Sequence, residues 1–237
     1  HRGASIGFPE NTMSAFRAAY YQGTDWIELD VQQSRDGVVY VMHDSNFLRT
    51  CGVNKNSWEM NWEDIQKLDA GKWYNAEKFT GEKVPSLDEV LHFAKISGIR
   101  LNIELKPTGH EKYFEQNVID LIRKYDFEDN CVVTSQNYKT VKKVKEIEPD
   151  IRTVYVMSVA VGNLNALKAA DDFSVNSSFA TRALVEACHN RSQSIDQMIT
   201  AGVDNIITNN VPLAKDRIAS SRVSNVVDDL IIFLKKL

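Results

Sequence analysis

Cysteine is scarce in this sequence, and the cysteines present lack the spacing of a ligand set. The 237 residues contain three of them, Cys51, Cys131 and Cys188, an odd number with no CxxC pair. This pattern argues against both a disulfide framework and a cysteine-based zinc site. It agrees with a cytoplasmic protein without excluding a cysteine-poor extracellular one.

Long apolar runs and an excess of positive charge are also missing. No apolar stretch approaches the roughly 20 residues that span a bilayer, and the apolar C-terminal segment DDLIIFLKKL is short and charged. The formal net charge is −4, with no polybasic run. The sequence therefore predicts no nucleic-acid partner. A membrane tether outside this chain stays open, as does the choice between a cytoplasmic and a membrane-associated location.

Alternating strand and helix patterns predict an α/β fold. Strand candidates cover residues 26–31, 38–42, 101–105, 131–135, 152–157, 173–178 and 204–208. Repeated β-then-α units favour a mainly parallel sheet, either closed or doubly wound. A closed barrel of this kind has eight strands. The seven candidates reach that number only if one further strand precedes His1, another lies near Arg191, and one arm of a hairpin at Asp36-Gly37 is not part of the barrel wall.

Helix boundaries are marked by capping residues, and one segment breaks the alternation. Asn11-Thr12 precede a helical pattern that ends at Gly23, and Ser86 with Glu89 forms a capping box for the next long helix. Between them, residues 45–85 carry a looser pattern with three tryptophans. We interpret this segment as an insertion with short helices packed on its own aromatic residues.

Acidic residues interrupt two strand candidates at positions that share a face. Glu28 and Asp30 are two residues apart, as are Glu104 and Lys106, with aliphatic residues on the opposite face. One acid in a strand is usually edge-exposed or ion-paired, but two such pairs in similar Ile-Glu-Leu contexts favour a functional site. Buried carboxylates need a compensating cation. Three carboxylate ligands suit a hard ion such as Mg²⁺, Ca²⁺ or Mn²⁺.

Histidines and cations near these acids suggest phosphate chemistry. His43 ends a strand pattern next to Asp44, which could orient its ring, and His1 begins the chain. Taken singly, each fits an ordinary surface histidine. Histidine exchanges protons near neutral pH, whereas Arg2 and Lys106 supply the positive charge that phosphate oxygens require. Together with a metal, these groups suit cleavage of a phosphate ester.

The motifs HRG at 1–3, PENT at 9–12, IELDVQ at 27–32, HD at 43–44 and IELK at 103–106 occur in one order. In this respect the chain resembles the glycerophosphodiester phosphodiesterase family. The resemblance implies a (β/α)8 TIM-type barrel with a small insertion after the third strand, counting a strand ahead of His1. It implies one catalytic domain over residues 1–237, with the insertion at about 45–85.

The resemblance also implies the site and its reaction. It implies catalytic His1 and His43, phosphate-binding Arg2 and Lys106, and metal ligands Glu28, Asp30 and Glu104. The implied cofactor is a divalent cation, Ca²⁺ or Mg²⁺, with Mn²⁺ as a third choice. The implied reaction converts a glycerophosphodiester, a small-molecule substrate, to an alcohol and glycerol 3-phosphate, through a cyclic phosphate. One departure is that Arg191 runs directly into Ser192 where the family has a further strand.

Two other functions stay open at this point. One is a related barrel phospholipase D that acts on lysophospholipids, which an apolar surface near the site would favour. The other is a barrel that binds metal or phosphate without turnover, although such a protein has no need of two histidines. Hydrolysis measured with and without chelator separates these alternatives.

Overall fold

The computed structural model of the protein describes residues 1–157, 166–175 and 212. Its strands are β1 (Trp26–Gln33), β2 (Val39–Val41), β3 (Arg100–Leu105), β4 (Cys131–Ser135), β5 (Arg152–Met157) and β6 (Asp172–Val175). Its α-helices are α1 (Met13–Tyr21), α2 (Leu48–Cys51), α3 (Trp62–Ile65), α4 (Ala76–Phe79), α5 (Leu87–Ser97), α6 (Phe114–Lys124) and α7 (Tyr138–Ile147). Two 3₁₀ turns cover Ser57–Glu59 and Glu128–Asn130.

The strands form one sheet of six in the order β2-β1-β3-β4-β5-β6. The pairing of β1 with β2 is antiparallel, and the other pairings are parallel. The predicted hairpin is confirmed, and Gly37 in its turn has a φ of 93°, which glycine adopts at little cost. The last strand candidate, 204–208, and the strand expected near Arg191 lie outside the described residues.

One face of the sheet is apolar and lies under the helices. Ile27, Leu29 and Val31 of β1 alternate along this face, and each is at most 2% exposed. They belong to a single core cluster with residues of β3, β4 and helices α1, α5 and α6, which include Leu101, Ile103, Val133, Phe16, Leu91, Val118 and Ile122. The same strands therefore bury their odd-numbered aliphatic residues against the helical layer.

The opposite face of the same strands is polar and almost as deeply buried. Register pairs Glu28 with Asn102 and Asp30 with Glu104, and Glu104 in turn with Thr134. All five of these residues are at most 9% exposed. Because paired residues in a sheet share a face, the acids predicted from alternation come together on one surface.

The predicted helix starts are confirmed where a capping side chain is present. Thr12 accepts a hydrogen bond from the Ala15 amide, and Ser86 and Glu89 form a capping box. The apolar pattern of the sequence also predicts a helix over 110–126, but α6 is shorter, because Tyr113 has a φ of 56° and the helix begins only after it. A further helix is predicted over 163–171, and within its described part residues 168 and 169 form a turn.

The segment between β2 and α5 builds a second, smaller core. Tyr40, Met42 and Phe47 pack with Met60, Ile65, Ala70 and Val84. Its end is fastened to α1, because the Ser14 hydroxyl donates a 2.5 Å hydrogen bond to Glu82. In the described part of the chain, no helix is both long and apolar enough to cross a membrane.

Candidate active site

Three carboxylates lie at the centre of the polar sheet face. Glu28 and Asp30 on β1 and Glu104 on β3 each offer an oxygen, and these oxygens all lie within 4.8 Å of one another. Asp30 is 1% exposed and Glu28 is 5% exposed. Three buried acids at this separation repel one another strongly unless cations compensate them.

The electrostatics of the cluster show a deficit of positive charge. Burial, and then the charge of Asp30, raise the pKa of Glu28 to about 8. Burial also raises the pKa of Glu104, although Lys106 opposes this. The Oε1 atom of Glu28 is buried without a hydrogen-bond partner among the described residues. An orphaned acceptor inside an all-oxygen cluster fits a hard divalent cation.

Arg2 and Lys106 approach the cluster from two sides. The Lys106 ammonium lies 2.7 Å from Glu104 and 3.2 Å from Asp30. The Arg2 guanidinium lies 3.3 Å from Asp30, and its backbone amide donates a 2.7 Å hydrogen bond to Glu28. Both side chains are 18% exposed, so they stand between the buried acids and solvent.

The HRG motif brings the first residues of the chain against β1. Gly3 has a φ of 75°, and a Cβ built there would lie 2.7 Å from the backbone of Ala15. Only glycine fits this approach to α1 without displacing backbone. Arg2 itself has a φ of 54°, an uncommon conformation for a residue with a side chain.

The PENT motif holds one of the acids. Asn11 is 3% exposed, and its side-chain amide donates a 2.8 Å hydrogen bond to the Asp30 carboxylate. Its side-chain oxygen accepts a hydrogen bond from the Asp30 amide at 3.3 Å. Asn11 has a φ of 56°, and its backbone amide donates a hydrogen bond to the Arg2 carbonyl. The motif therefore fixes Asp30 and the Arg2 backbone together.

His43 stands at the end of the antiparallel strand beside the acids. Its Nδ1 lies 2.7 Å from Asp44 Oδ1, and its carbonyl accepts a hydrogen bond from Gln32 at 3.1 Å. A hydrogen bond from Arg49 is the largest cause that lowers the pKa of Asp44, to about 2. An ionised Asp44 is an acceptor for a proton on His43 Nδ1.

His1 lies beside Glu28. Its Nε2 is 3.9 Å from Glu28 Oε2, and its side chain is 37% exposed. The structure thus places His1, Arg2 and Lys106 within 4 Å of the carboxylates, and His43 close enough for its charge to oppose the burial that raises the pKa of Glu104.

Comparisons with known proteins agree on one family. The sequence model of the glycerophosphoryl diester phosphodiesterase family matches residues 1–191. A glycerophosphodiester phosphodiesterase of Caldanaerobacter subterraneus subsp. tengcongensis is 34% identical over 225 residues, which cover 88% of this chain and 91% of the relative. The chain belongs to the glycerophosphoryl diester phosphodiesterase family.

Solved phosphodiesterase structures confirm the fold class. One from Agrobacterium tumefaciens str. C58 is 28% identical, covers 90% of this chain and 96% of its own, and has a TM-score of 0.76. A phosphodiesterase of Oleispira antarctica in complex with the product sn-glycerol-3-phosphate is 25% identical to this chain, with a TM-score of 0.83. The match covers 92% of this chain and 95% of the Oleispira chain. The predicted TIM-type barrel is confirmed, although the described strands by themselves form an open sheet.

Family membership also confirms that the chain is an enzyme of the phosphoric diester hydrolase class. Sequence reasoning missed three residues that contact the site, namely Glu10, Asn11 and Arg49. The PENT motif contains the first two, but the partners of Glu10 and Asn11 lie many positions away along the chain.

Proposed function

We propose that this phosphodiesterase family member hydrolyses glycerophosphodiesters to an alcohol and glycerol 3-phosphate, with a divalent cation and two histidines. We further propose that residues 1–237 form one catalytic domain. The observation that carries the proposal is the set of three carboxylates with oxygens within 4.8 Å, flanked by two cations and two imidazoles.

Glu28, Asp30 and Glu104 would hold the cation, with Ca²⁺ or Mg²⁺ preferred and Mn²⁺ as a substitute. Their oxygen donors match the ligand preference of these ions. When bound, such an ion supplies positive charge that stabilises the charged transition state of phosphate transfer. The raised pKa of Glu28 supports this assignment, because an adjacent cation would relieve the repulsion that raises it.

Arg2 and Lys106 would contact the phosphate oxygens. Their side chains lie at the outer edge of the carboxylate cluster, and each is 18% exposed. The planar guanidinium of Arg2 suits two phosphate oxygens at once, whereas Lys106 supplies a point charge. The negative phosphate then shares these cations with Asp30, which keeps the total charge of the site near balance.

His1 and His43 would move the protons of both steps. In the first, one imidazole takes the proton of the glycerol hydroxyl next to the phosphate, and that oxygen bonds to phosphorus. The bond from phosphorus to the departing alcohol breaks, and the other imidazole gives that alcohol a proton. In the second, water opens the cyclic phosphate with the two roles exchanged, and glycerol 3-phosphate is released.

A lysophospholipase D activity is the second candidate, favoured by an apolar rim. Ile6 is 60% exposed, Leu48 is 56% exposed and Trp73 is 41% exposed. The Cζ atom of Arg49 lies 5.7 Å from the centre of the Trp73 ring, and Arg49 contacts Asp44 of the site. An acyl chain attached to the glycerol would find its apolar contacts on these three residues.

A substrate panel tests both candidates. Glycerophosphocholine, glycerophosphoethanolamine, glycerophosphoglycerol and lysophosphatidylcholine are assayed with added Mg²⁺ or Ca²⁺, and the released alcohol and phosphate ester are measured. We expect glycerol 3-phosphate from the water-soluble diesters and its loss after thorough chelation. Full activity after chelation would contradict the carboxylate assignment, and faster turnover of the lysolipid would favour the second candidate.

A further inference from the structure

We propose that Arg49 and Glu10 are positioning residues that join His43 to Arg2, so that the insertion contributes directly to the active site. The proposal rests on the proposed function, since it gives each residue a part in that reaction. Neither side chain touches the carboxylate cluster. Both act through the residues that they bind.

Arg49 is held on three sides. Its Nε donates a 2.6 Å hydrogen bond to Asp44, and its two terminal nitrogens donate to the two oxygens of Glu10 at 2.7 and 2.9 Å. Its guanidinium carbon also lies over the ring of Trp73, 5.7 Å from the ring centre. Because each of its three nitrogens donates a hydrogen bond and the ring supports it, the guanidinium is held in one orientation, although 41% of the side chain is exposed.

This arrangement fixes the orientation of His43. The Oδ2 atom of Asp44 accepts from Arg49, and its Oδ1 atom accepts from His43 at 2.7 Å. The carboxylate plane is therefore set by Arg49, and the imidazole plane follows from it. Partners that orient a reacting histidine in this way affect activity without touching the substrate.

Glu10 carries the same network to the phosphate-contacting side. Its Oε1 atom accepts from Arg49 and also from the Arg2 guanidinium at 2.9 Å. Burial opposes ionisation, but the hydrogen bond and charge of Arg49 together with Arg2 lower the pKa of Glu10. One carboxylate between two arginines keeps like charges close and holds the Arg2 side chain toward Asp30.

Arg49→Ala tests the first half of the proposal. We expect kcat for a glycerophosphodiester to fall by roughly 10- to 100-fold, the range found when partners of active-site ligands are removed. Arg123→Ala is the matched control, because Arg123 is 42% exposed, binds Glu148 through two nitrogens and lies far along the chain on α6. A kcat within twofold of wild type for folded Arg49→Ala would overturn the proposal. If that variant does not fold, Arg49→Lys serves as the same test, because a single ammonium cannot make the hydrogen bonds that the guanidinium donates to Asp44 and to both oxygens of Glu10.

A double variant separates positioning from general loss of structure. If Arg49 acts through His43, Arg49→Ala should cost less than about twofold in a His43→Ala background. An equal fold-loss in both backgrounds would mean that Arg49 only supports the fold. For the second half, Glu10→Gln should raise KM by roughly fivefold through Arg2. An unchanged KM would remove Glu10 from the network.

A spectroscopic readout keeps this inference distinct from the proposed function. Nitrogen-15 NMR of the His43 ring should show a single Nδ1–H tautomer in the wild-type protein and mixed tautomers in Arg49→Ala. A single tautomer in both proteins would overturn the link through Asp44, even if the enzyme hydrolyses its substrate. Mixed tautomers together with an inactive wild-type protein would instead keep the link and contradict the proposed function.

Discussion

The two faces of β1 carry opposite chemistry at nearly the same depth. On one face, Ile27, Leu29 and Val31 are buried under helices. On the other, Glu28 and Asp30 are buried among charges, and the Oε1 atom of Glu28 has no hydrogen-bond partner in the described part of the chain. Burial of the first face stabilises the fold, whereas burial of the second costs free energy. If the polar face holds the proposed metal site, substitutions on the two faces should impair the protein in different ways.

Glu28→Gln should have the largest effect on turnover. We expect activity with added metal to fall by roughly a thousandfold, because a neutral amide cannot replace a charged ligand at a hard ion. Stability without metal should be retained. The measurements are steady-state kinetics and denaturant unfolding, with Glu115→Gln as the control, since Glu115 is also buried but pairs with Lys143 outside the site. Wild-type kinetics in Glu28→Gln would mean that this polar-face carboxylate is not needed for turnover.

Leu29→Ala should show the reverse behaviour. Leu29 is 0% exposed within the main core, and its truncation should lower the free energy of unfolding by about 3 kcal/mol. The fraction that remains folded should keep a near-normal KM. Urea unfolding and kinetics on the same sample check this. A large rise in KM would mean that the apolar face also shapes the site.

His43→Ala separates proton transfer from metal binding. Turnover should fall by roughly 10² or more, while the affinity for Mn²⁺ measured by calorimetry stays nearly unchanged. His92→Ala is the control, because His92 is exposed on α5. Equal turnover in His43→Ala would remove this residue from the mechanism, and loss of Mn²⁺ binding would make it a ligand.

The stability of the metal-free protein should depend on pH through Glu28. Glu28 has a pKa of about 8 in the folded state against 4.5 as its ordinary value. The folded metal-free protein thus holds a proton that the unfolded chain has lost, so its stability should fall as the pH rises through this window. Added Mg²⁺ should raise Tm more at about pH 8 than at about pH 6, since binding displaces that proton. A metal effect that is independent of pH would contradict the assigned pKa shift.

Much of the described fold followed from periodicity and capping. Alternation predicted β1 and β3, and the Ser86–Glu89 capping box predicted the start of α5. Helix α6 begins later than its apolar pattern suggested, because Glu111 accepts hydrogen bonds from the amides of Thr108 and Gly109 and holds a loop there. Side-chain to backbone bonds of this kind compete with helix formation and leave little trace in periodicity.

The site could be predicted in its residue types but not in its connections. The spacing of Glu28 and Asp30 places both on one face of a strand, whereas Arg49 reaches Glu10 across 39 positions. Nothing in local sequence encodes such a pairing, because it depends on how the insertion packs beside the first loop. Asn11 was visible only as part of a motif, and its bonds to Asp30 emerge from the fold.

One divalent ion should bind between Glu28, Asp30 and Glu104. Anomalous scattering from a crystal soaked with Mn²⁺ locates such an ion. We expect a single strong peak within about 2.0–2.3 Å of an oxygen from each carboxylate. A peak elsewhere, or no peak while these acids stay paired with Lys106 and Arg2 in a fully active enzyme, would contradict it.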